Sequence, residues 1–189
     1  DAQIAGTERL ARTRPLSVKE RASQVDLLMQ RGQILGRVTD YEAAEGIAEA
    51  LVVEAPGDPD AWLARARARA TLHRFTSALA DLDEAARRGA GARACDGVRV
   101  GILQATGKND EALTLRRRLS EARPDVLTLG SEATLRAARG ELDEAERLFD
   151  AALASYRDVS PFPVAWIEFQ RGLVWMREEE YARARDLLA

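Results

Sequence analysis

Residues 58–85, DPDAWLARARARATLHRFTSALADLDEA, hold two amphipathic segments separated by a short polar turn. Asp58 followed by Pro59 is a typical helix start, because the aspartate caps free amide groups and proline fits the first helical turn. Alanine and leucine recur at helical spacing on both sides of the turn, which contains His73. This stretch therefore predicts a helical hairpin.

The same pattern recurs along the chain. An alanine near the start of the second helix of each hairpin returns at intervals of 34, 34 and 33 residues, and a fifth follows a longer loop. These repeat alanines are Ala44, Ala78, Ala112, Ala145 and Ala184. Because one hairpin cannot bury its own apolar face, a fixed period of this length predicts hairpins stacked side by side. We expect an all-α array over residues 25–58, 59–92, 93–126, 126–159 and 165–189.

Residues 1–24 are expected to precede the array as a capping helix or as the tail of an earlier repeat. Residues 2–14 predict a short helix that ends before Pro15. Ser17 and Glu20 have the spacing of a capping box, which starts a helix reaching Arg37. The aspartate at the start and the apolar pattern that runs to the last residue lead us to expect a longer natural protein.

Composition narrows the class of protein. The 189 residues include 28 basic and 31 acidic side chains, a balance too even to favour a nucleic-acid partner. No apolar run reaches the length of a membrane span, so none is expected. The single cysteine, Cys95, excludes an internal disulfide and a cysteine metal cluster, and we expect it in the core.

The register of these residues resembles the tetratricopeptide repeat. The matching positions are Gly32, Tyr41, Pro56, Trp62, Phe75, Pro124, Gly172, Tyr181 and the five repeat alanines. The resemblance covers residues 25–189 and is weakest in the third repeat, at Asp96, Val100 and Asn109. It implies an α-α superhelix, a right-handed solenoid of helical hairpins whose first helices line a concave groove. It also implies a protein-interaction scaffold and not an enzyme.

In the register of that family, ten residues are expected to face the groove. They are Met29, Gln33, Arg37, Leu63, Arg67, Val98, Thr134, Trp166, Phe169 and Arg177. The carboxylate clamp of chaperone-binding members is absent, so we expect an extended or helical apolar segment of a protein partner, steered by arginine. For Trp166 and Phe169, binding and packing stay equally open. The groove glycines either admit a ligand backbone or reflect decay of the repeat.

No catalytic, cofactor-binding or metal-binding residue is predicted. His73 has no second metal ligand at a suitable spacing, and we expect a solvated turn residue. Gly107 and Lys108 fail the phosphate-loop pattern, because Ile102 and Asn109 stand where glycine and Ser/Thr are required. The run of glutamates at 178–180 reads as a solvated helix end.

Two alternatives remain open for the role of this chain. The chain is either a free-standing adaptor or a regulatory or targeting segment of a larger multidomain enzyme or assembly protein. Self-association through its C-terminal end is a further expectation. The compartment, cytoplasmic or periplasmic, does not follow from these residues.

Overall fold

The computed structural model describes residues 2–188, in which α-helices are joined by short turns and no β-strand occurs. The ends of the first and last predicted segments, Asp1 and Ala189, lie outside the described residues. The helices are α1 (Ala2–Thr13), α2 (Val18–Leu35), α3 (Val38–Glu54), α4 (Pro59–Thr71), α5 (Phe75–Arg87), α6 (Ala92–Ala105), α7 (Asn109–Ala122), α8 (Val126–Ala137), α9 (Leu142–Ser155), α10 (Phe162–Arg177) and α11 (Tyr181–Leu188). The all-α prediction is confirmed.

The helix starts follow the local signals in the sequence. The Ser17 hydroxyl accepts from the Glu20 amide at 3.3 Å, and the Glu20 carboxylate accepts from the Ser17 amide at 2.8 Å. Asp58 accepts from the Asp60 amide at 2.8 Å and caps α4. The second helix is shorter than expected, because Gly36 ends it in a left-handed conformation (φ 65°) before Arg37.

The chain divides into two compact units, one up to Ile102 and one from Leu103. In the first unit α2 packs against α3, and α4 packs against α5. The repeat alanines Ala44 and Ala78 are fully buried, which lets the helices of each hairpin approach closely. A Cβ on Gly32 would lie 3.1 Å from the Tyr41 ring, so only glycine fits there without a shift.

Trp62 is half-buried at the edge of the first unit's core. Its indole nitrogen donates to the Pro56 carbonyl at 2.8 Å. The guanidinium groups of Arg65 and Arg88 lie 4.9 Å and 4.5 Å from the ring centroid. This tryptophan is therefore a packing residue with a satisfied polar edge.

In the second unit α8 packs against α9, α10 against α11, and α10 also against α8. Phe149 and Ile167 are fully buried at the centre of this core. Trp175 is buried, donates to Glu146 at 3.0 Å and has the Arg183 guanidinium 3.5 Å from its ring centroid.

Four interhelical turns share one backbone feature. The residue five places before the repeat alanine has a left-handed conformation, with φ between 59° and 77°. These residues are His73, Gly107, Gly140 and Glu179. The Gly107-Lys108 segment, which fails the phosphate-loop pattern, is one of these interhelical turns.

Ion pairs mark the junctions between consecutive hairpins. At three junctions, the first helix of a hairpin carries an arginine thirteen residues before its repeat alanine. This arginine contacts an acidic residue in the second helix of the preceding hairpin, which stands five residues after that hairpin's repeat alanine. The pairs are Arg65–Glu49 (2.9 Å), Arg99–Asp83 (3.0 Å) and Arg171–Asp150 (3.0 Å). Each pair joins neighbouring hairpins at the same place in the register.

Candidate functional site

A cleft of about 390 Å³ opens between α2 and α4 in the first unit. We call it the α2–α4 cleft. Its lining consists of Asp26, Leu27, Met29, Gln30, Gln33, Arg67 and Thr71. Residues three or four places apart lie on the same helix face, so α2 and α4 each present consecutive turns to the opening.

One ion pair crosses the α2–α4 cleft. Arg67 Nη1 donates to Asp26 Oδ2 at 2.8 Å. Burial raises the pKa of the Asp26 carboxyl above its ordinary value, and the opposing charge of Arg67 offsets this only in part. Among residues 2–188 the Arg67 side chain has no further hydrogen bond or ion pair, so its other N–H groups are free to bind a ligand.

The sequence placed three of these residues in the groove, namely Met29, Gln33 and Arg67, and the structure brings them together. Gln33 is exposed, whereas Met29 is only 6% exposed and packs in a core cluster with Ala68 of α4. Asp26 completes the cleft and was not predicted. Its contact with Arg67 joins residues 41 places apart, which no local pattern reveals.

Three other predicted groove residues lie elsewhere. Leu63 is 5% exposed and packs in a core cluster with Cys95, with half-buried Val98 against it. Leu63 and Val98 therefore contribute to packing between α4 and α6. Arg37 is exposed at the start of α3 and does not line the α2–α4 cleft.

The remaining predicted residues lie in the second unit. Half-buried Trp166 and buried Ile167 cover Gly130, where an added Cβ would overlap the Ile167 side chain and lie 3.0 Å from the Trp166 ring. Close approach of α10 to α8 therefore accounts for this glycine, so neither ligand access nor repeat decay is needed. Thr134 donates its hydroxyl proton to the Gly130 carbonyl at 2.9 Å. Phe169 and Arg177 are exposed on α10, Phe169 at 49%.

Reactive side chains do not converge in the described part of the chain. Residues 2–188 contain no group of three or more His, Cys, Asp or Glu side chains arranged to hold a metal ion. His73 is exposed in its turn beside Phe75, with ring centroids 5.2 Å apart. Cys95 is buried, and burial raises the pKa of its thiol, so the reactive thiolate is disfavoured.

No helix within residues 2–188 has both the length and the apolar character needed to cross a lipid bilayer.

Comparisons with known proteins agree with this architecture. No protein-family model matches the sequence, and no curated protein matches it. Among solved structures, a tetratricopeptide repeat protein from Parabacteroides merdae is similar, with a TM-score of 0.71 and 17% identity. That match covers 96% of this chain and 66% of the Parabacteroides merdae protein. This chain therefore spans slightly less than two thirds of the length of that protein. The fold is that of a tetratricopeptide repeat protein.

Two further tetratricopeptide repeat structures are similar to this chain. YrrB, described as having an unusual peptide-binding site, has a TM-score of 0.53 and 16% identity over 96% of this chain and 88% of its own. MamA from Desulfovibrio magneticus RS-1 has a TM-score of 0.58 and 14% identity over 88% of this chain and 90% of its own. At these identities the similarity establishes the tetratricopeptide repeat fold alone.

Proposed function

We propose that this chain is a non-enzymatic scaffold that binds a segment of a partner protein in the α2–α4 cleft. The observation that carries the proposal is Arg67, which crosses the cleft to Asp26 and keeps further N–H groups free beside two exposed glutamines. The peptide-binding site described for YrrB belongs to that protein, and it lends general support to the same use of the fold here.

The lining chemistry suits an extended peptide. Each amide of Gln30 and Gln33 both donates and accepts, as do the N–H and C=O groups of a ligand backbone. Arg67 can pair with a carboxylate of the ligand, which then competes with Asp26 for the same guanidinium. Leu27 and Met29 add an apolar floor for one side chain of the ligand.

The test begins with a phage-displayed library of random linear peptides selected on the 189-residue protein. The affinity of a selected peptide is then measured for Arg67→Ala and Gln33→Ala by fluorescence anisotropy. We expect Arg67→Ala to weaken binding roughly tenfold, since a hydrogen bond to a charged group contributes about 1.5–3 kcal/mol. Gln33→Ala should weaken it several-fold.

Gln104→Ala is the matched control, because this glutamine is exposed on α6 and does not line the cleft. Circular dichroism verifies that each variant keeps its helices. Selected peptides whose affinity is the same for wild type, Arg67→Ala and Gln33→Ala would overturn the assignment of the cleft.

A further inference from the structure

Asp26 occupies the guanidinium group that the proposed function assigns to a ligand. Within residues 2–188 its carboxylate accepts one hydrogen bond, from Arg67 Nη1 at 2.8 Å across the α2–α4 cleft. The side chains of Asp26 and Arg67 are 46% and 36% exposed. Because solvent screens an ion pair as exposed as this one, the pair contributes little to the stability of the fold. A ligand can therefore replace it at low cost.

Buried aspartates of the first unit show how the chain holds a structural ion pair. Asp40 is 4% exposed and accepts from Arg31 Nε and Nη2 at 2.7 Å and 2.6 Å. Asp81 is 2% exposed and accepts three hydrogen bonds from two arginines. The single bond of Asp26 is weaker than either arrangement. A ligand carboxylate that binds Arg67 through both oxygens would form the stronger, bidentate pair.

The register of the repeats shows that helix stacking does not require this pair. Asp26 stands eighteen residues before the repeat alanine of its hairpin, and Arg67 stands eleven residues before that of the next hairpin. At the following junction these two places hold Asp60 and Gly101, so no arginine is present. The helices α4 and α6 nevertheless share a core cluster. The Asp26–Arg67 pair is thus a feature of the cleft and not of the repeat.

The Asp26 side chain also borders a second space. With Leu27 and Lys19 it lines a cavity of about 740 Å³ between α1 and α2, which we call the α1–α2 cavity. Lys19 stands seven residues before Asp26, which is about two helical turns and places both on one face of α2. A carboxylate displaced from Arg67 can therefore turn into this cavity, toward a positive charge.

We propose that Asp26 is an internal competitor for the anion site on Arg67, which keeps the α2–α4 cleft self-paired until a carboxylate of the ligand displaces it toward the α1–α2 cavity. This inference rests on the proposed function and adds the contact that regulates the cleft. It also defines the ligand as a segment with a glutamate or aspartate placed at Arg67, since a neutral segment leaves the pair intact.

Displacement of Asp26 should couple binding to proton uptake. Burial raises the pKa of the Asp26 carboxyl, and Arg67 offsets this in part. A ligand that takes Arg67 removes the offset, so the pKa rises further and the complex binds more protons than the free chain. The affinity should therefore increase as the pH falls from about 7 toward about 5. The other charged groups that line the α1–α2 cavity are Lys19 and Glu20 of α2, and its α1 residues are uncharged.

The first test requires no ligand. Phenylglyoxal modifies arginine side chains, and peptide mass spectrometry gives the rate at each position. We expect Arg67 to react several-fold faster in Asp26→Asn than in wild type, because the ion pair shields its guanidinium group. Asp83→Asn is the matched control, since it removes an exposed partner of Arg99 outside the cleft and should leave the rate at Arg67 unchanged. Equal rates at Arg67 in wild type and Asp26→Asn would overturn the proposal.

The second test measures the competition itself. The probes are a peptide selected on the wild-type protein that carries one glutamate or aspartate, and the same peptide with the corresponding amide residue. Fluorescence anisotropy should show that Asp26→Asn binds the acidic peptide roughly fivefold more tightly than wild type at about pH 7. The amide peptide should bind both proteins equally, and Asp26→Asn should lose the pH dependence. Asp26→Ala serves as the second variant if Asp26→Asn does not fold.

The outcomes separate this inference from the proposed function. Acidic peptides whose affinity falls in Arg67→Ala but is the same for wild type and Asp26→Asn would overturn the inference and leave the proposed function in place. Peptides whose affinity does not depend on Arg67 would overturn the proposed function and the displacement of Asp26 together.

Discussion

Inside the second unit, Glu132 accepts a hydrogen bond from the Ser120 hydroxyl. Glu132 stands thirteen residues before Ala145, the position at which three other hairpin junctions hold an arginine. Glu132 also pairs with Arg136 at 2.9 Å, and its charge acts on Arg116 of α7, whose pKa is lowered by burial. The charge at this junction is therefore reversed. One buried carboxylate interacts with Ser120 and Arg116 of α7 and with Arg136 of α8.

Removal of the Glu132 carboxylate should destabilise the folded protein. Glu132→Ala leaves Arg136 and Arg116 without its charge, and we expect the free energy of unfolding to fall by about 3 kcal/mol. Glu121→Ala on the exposed face of α7 removes a solvated pair with Arg117 and should change it by less than about 1 kcal/mol. Urea unfolding followed by circular dichroism measures both, and equal losses would contradict the prediction.

Two helical glycines should respond to alanine in opposite directions. At Gly130 a Cβ overlaps Ile167 and crowds Trp166, so Gly130→Ala should destabilise the protein by about 1–3 kcal/mol. At Gly97 no atom lies within 4 Å of the added Cβ, and Gly97→Ala should stabilise α6 by about 0.5–1 kcal/mol. Thermal unfolding of the two variants beside wild type tests the sign. A stabilised Gly130→Ala variant would refute the close approach of α10 to α8.

The left-handed turn residues predict a further pair of opposite effects. His73 and Glu179 have φ values of 59° and 62°, a conformation that costs a residue with a side chain about 1–2 kcal/mol. His73→Gly and Glu179→Gly should therefore raise the free energy of unfolding by up to about 1 kcal/mol each. Gly107→Ala, at the equivalent place, should lower it by a similar amount. Denaturant midpoints check these signs, and a loss of stability in His73→Gly would contradict the argument.

The start of α2 should be sensitive to acid. Hydrogen bonds from Arg14 and Ser17 lower the pKa of Glu20 from 4.5 to about 2. Because the folded state holds this carboxylate in its charged form, its contribution to stability is complete above pH 4.5 and is lost as the pH falls toward about 2. Glu20→Gln should flatten the pH dependence of unfolding in that window. Glu42→Gln, at an exposed site of α3, is the control and should leave the slope unchanged.

Sequence patterns predicted the elements whose causes are local. Ser17 and Asp58 set helix starts through contacts within a few residues, and both starts lie where the patterns place them. The end of α2 does not, because Gly36 stops the helix before Arg37. The tetratricopeptide register also predicted the small residues at helix crossings, since Gly32 and Gly172 recur at equivalent places. Both kinds of signal depend on residues that lie within a single repeat.

The candidate site depends on contacts between repeats and was predicted less completely. In a single repeat Met29 and Leu63 occupy equivalent positions, but Met29 lines the α2–α4 cleft whereas Leu63 belongs to a core cluster that includes Cys95 of α6. The partnership of Asp26 with Arg67 spans 41 positions and depends on how α2 and α4 are set beside each other. The junction arginines Arg65 and Arg99 stand 34 residues apart in the sequence, but their acidic partners Glu49 and Asp83 become evident only in the folded chain.

The tryptophans give each unit its own optical reporter. Trp62 belongs to the first unit, whereas Trp166 and Trp175 belong to the second. In Trp62→Phe, all indole emission therefore arises from the second unit, while far-ultraviolet ellipticity still follows every helix. The melting of one half of the chain can then be recorded separately from the melting of the whole, without an attached dye.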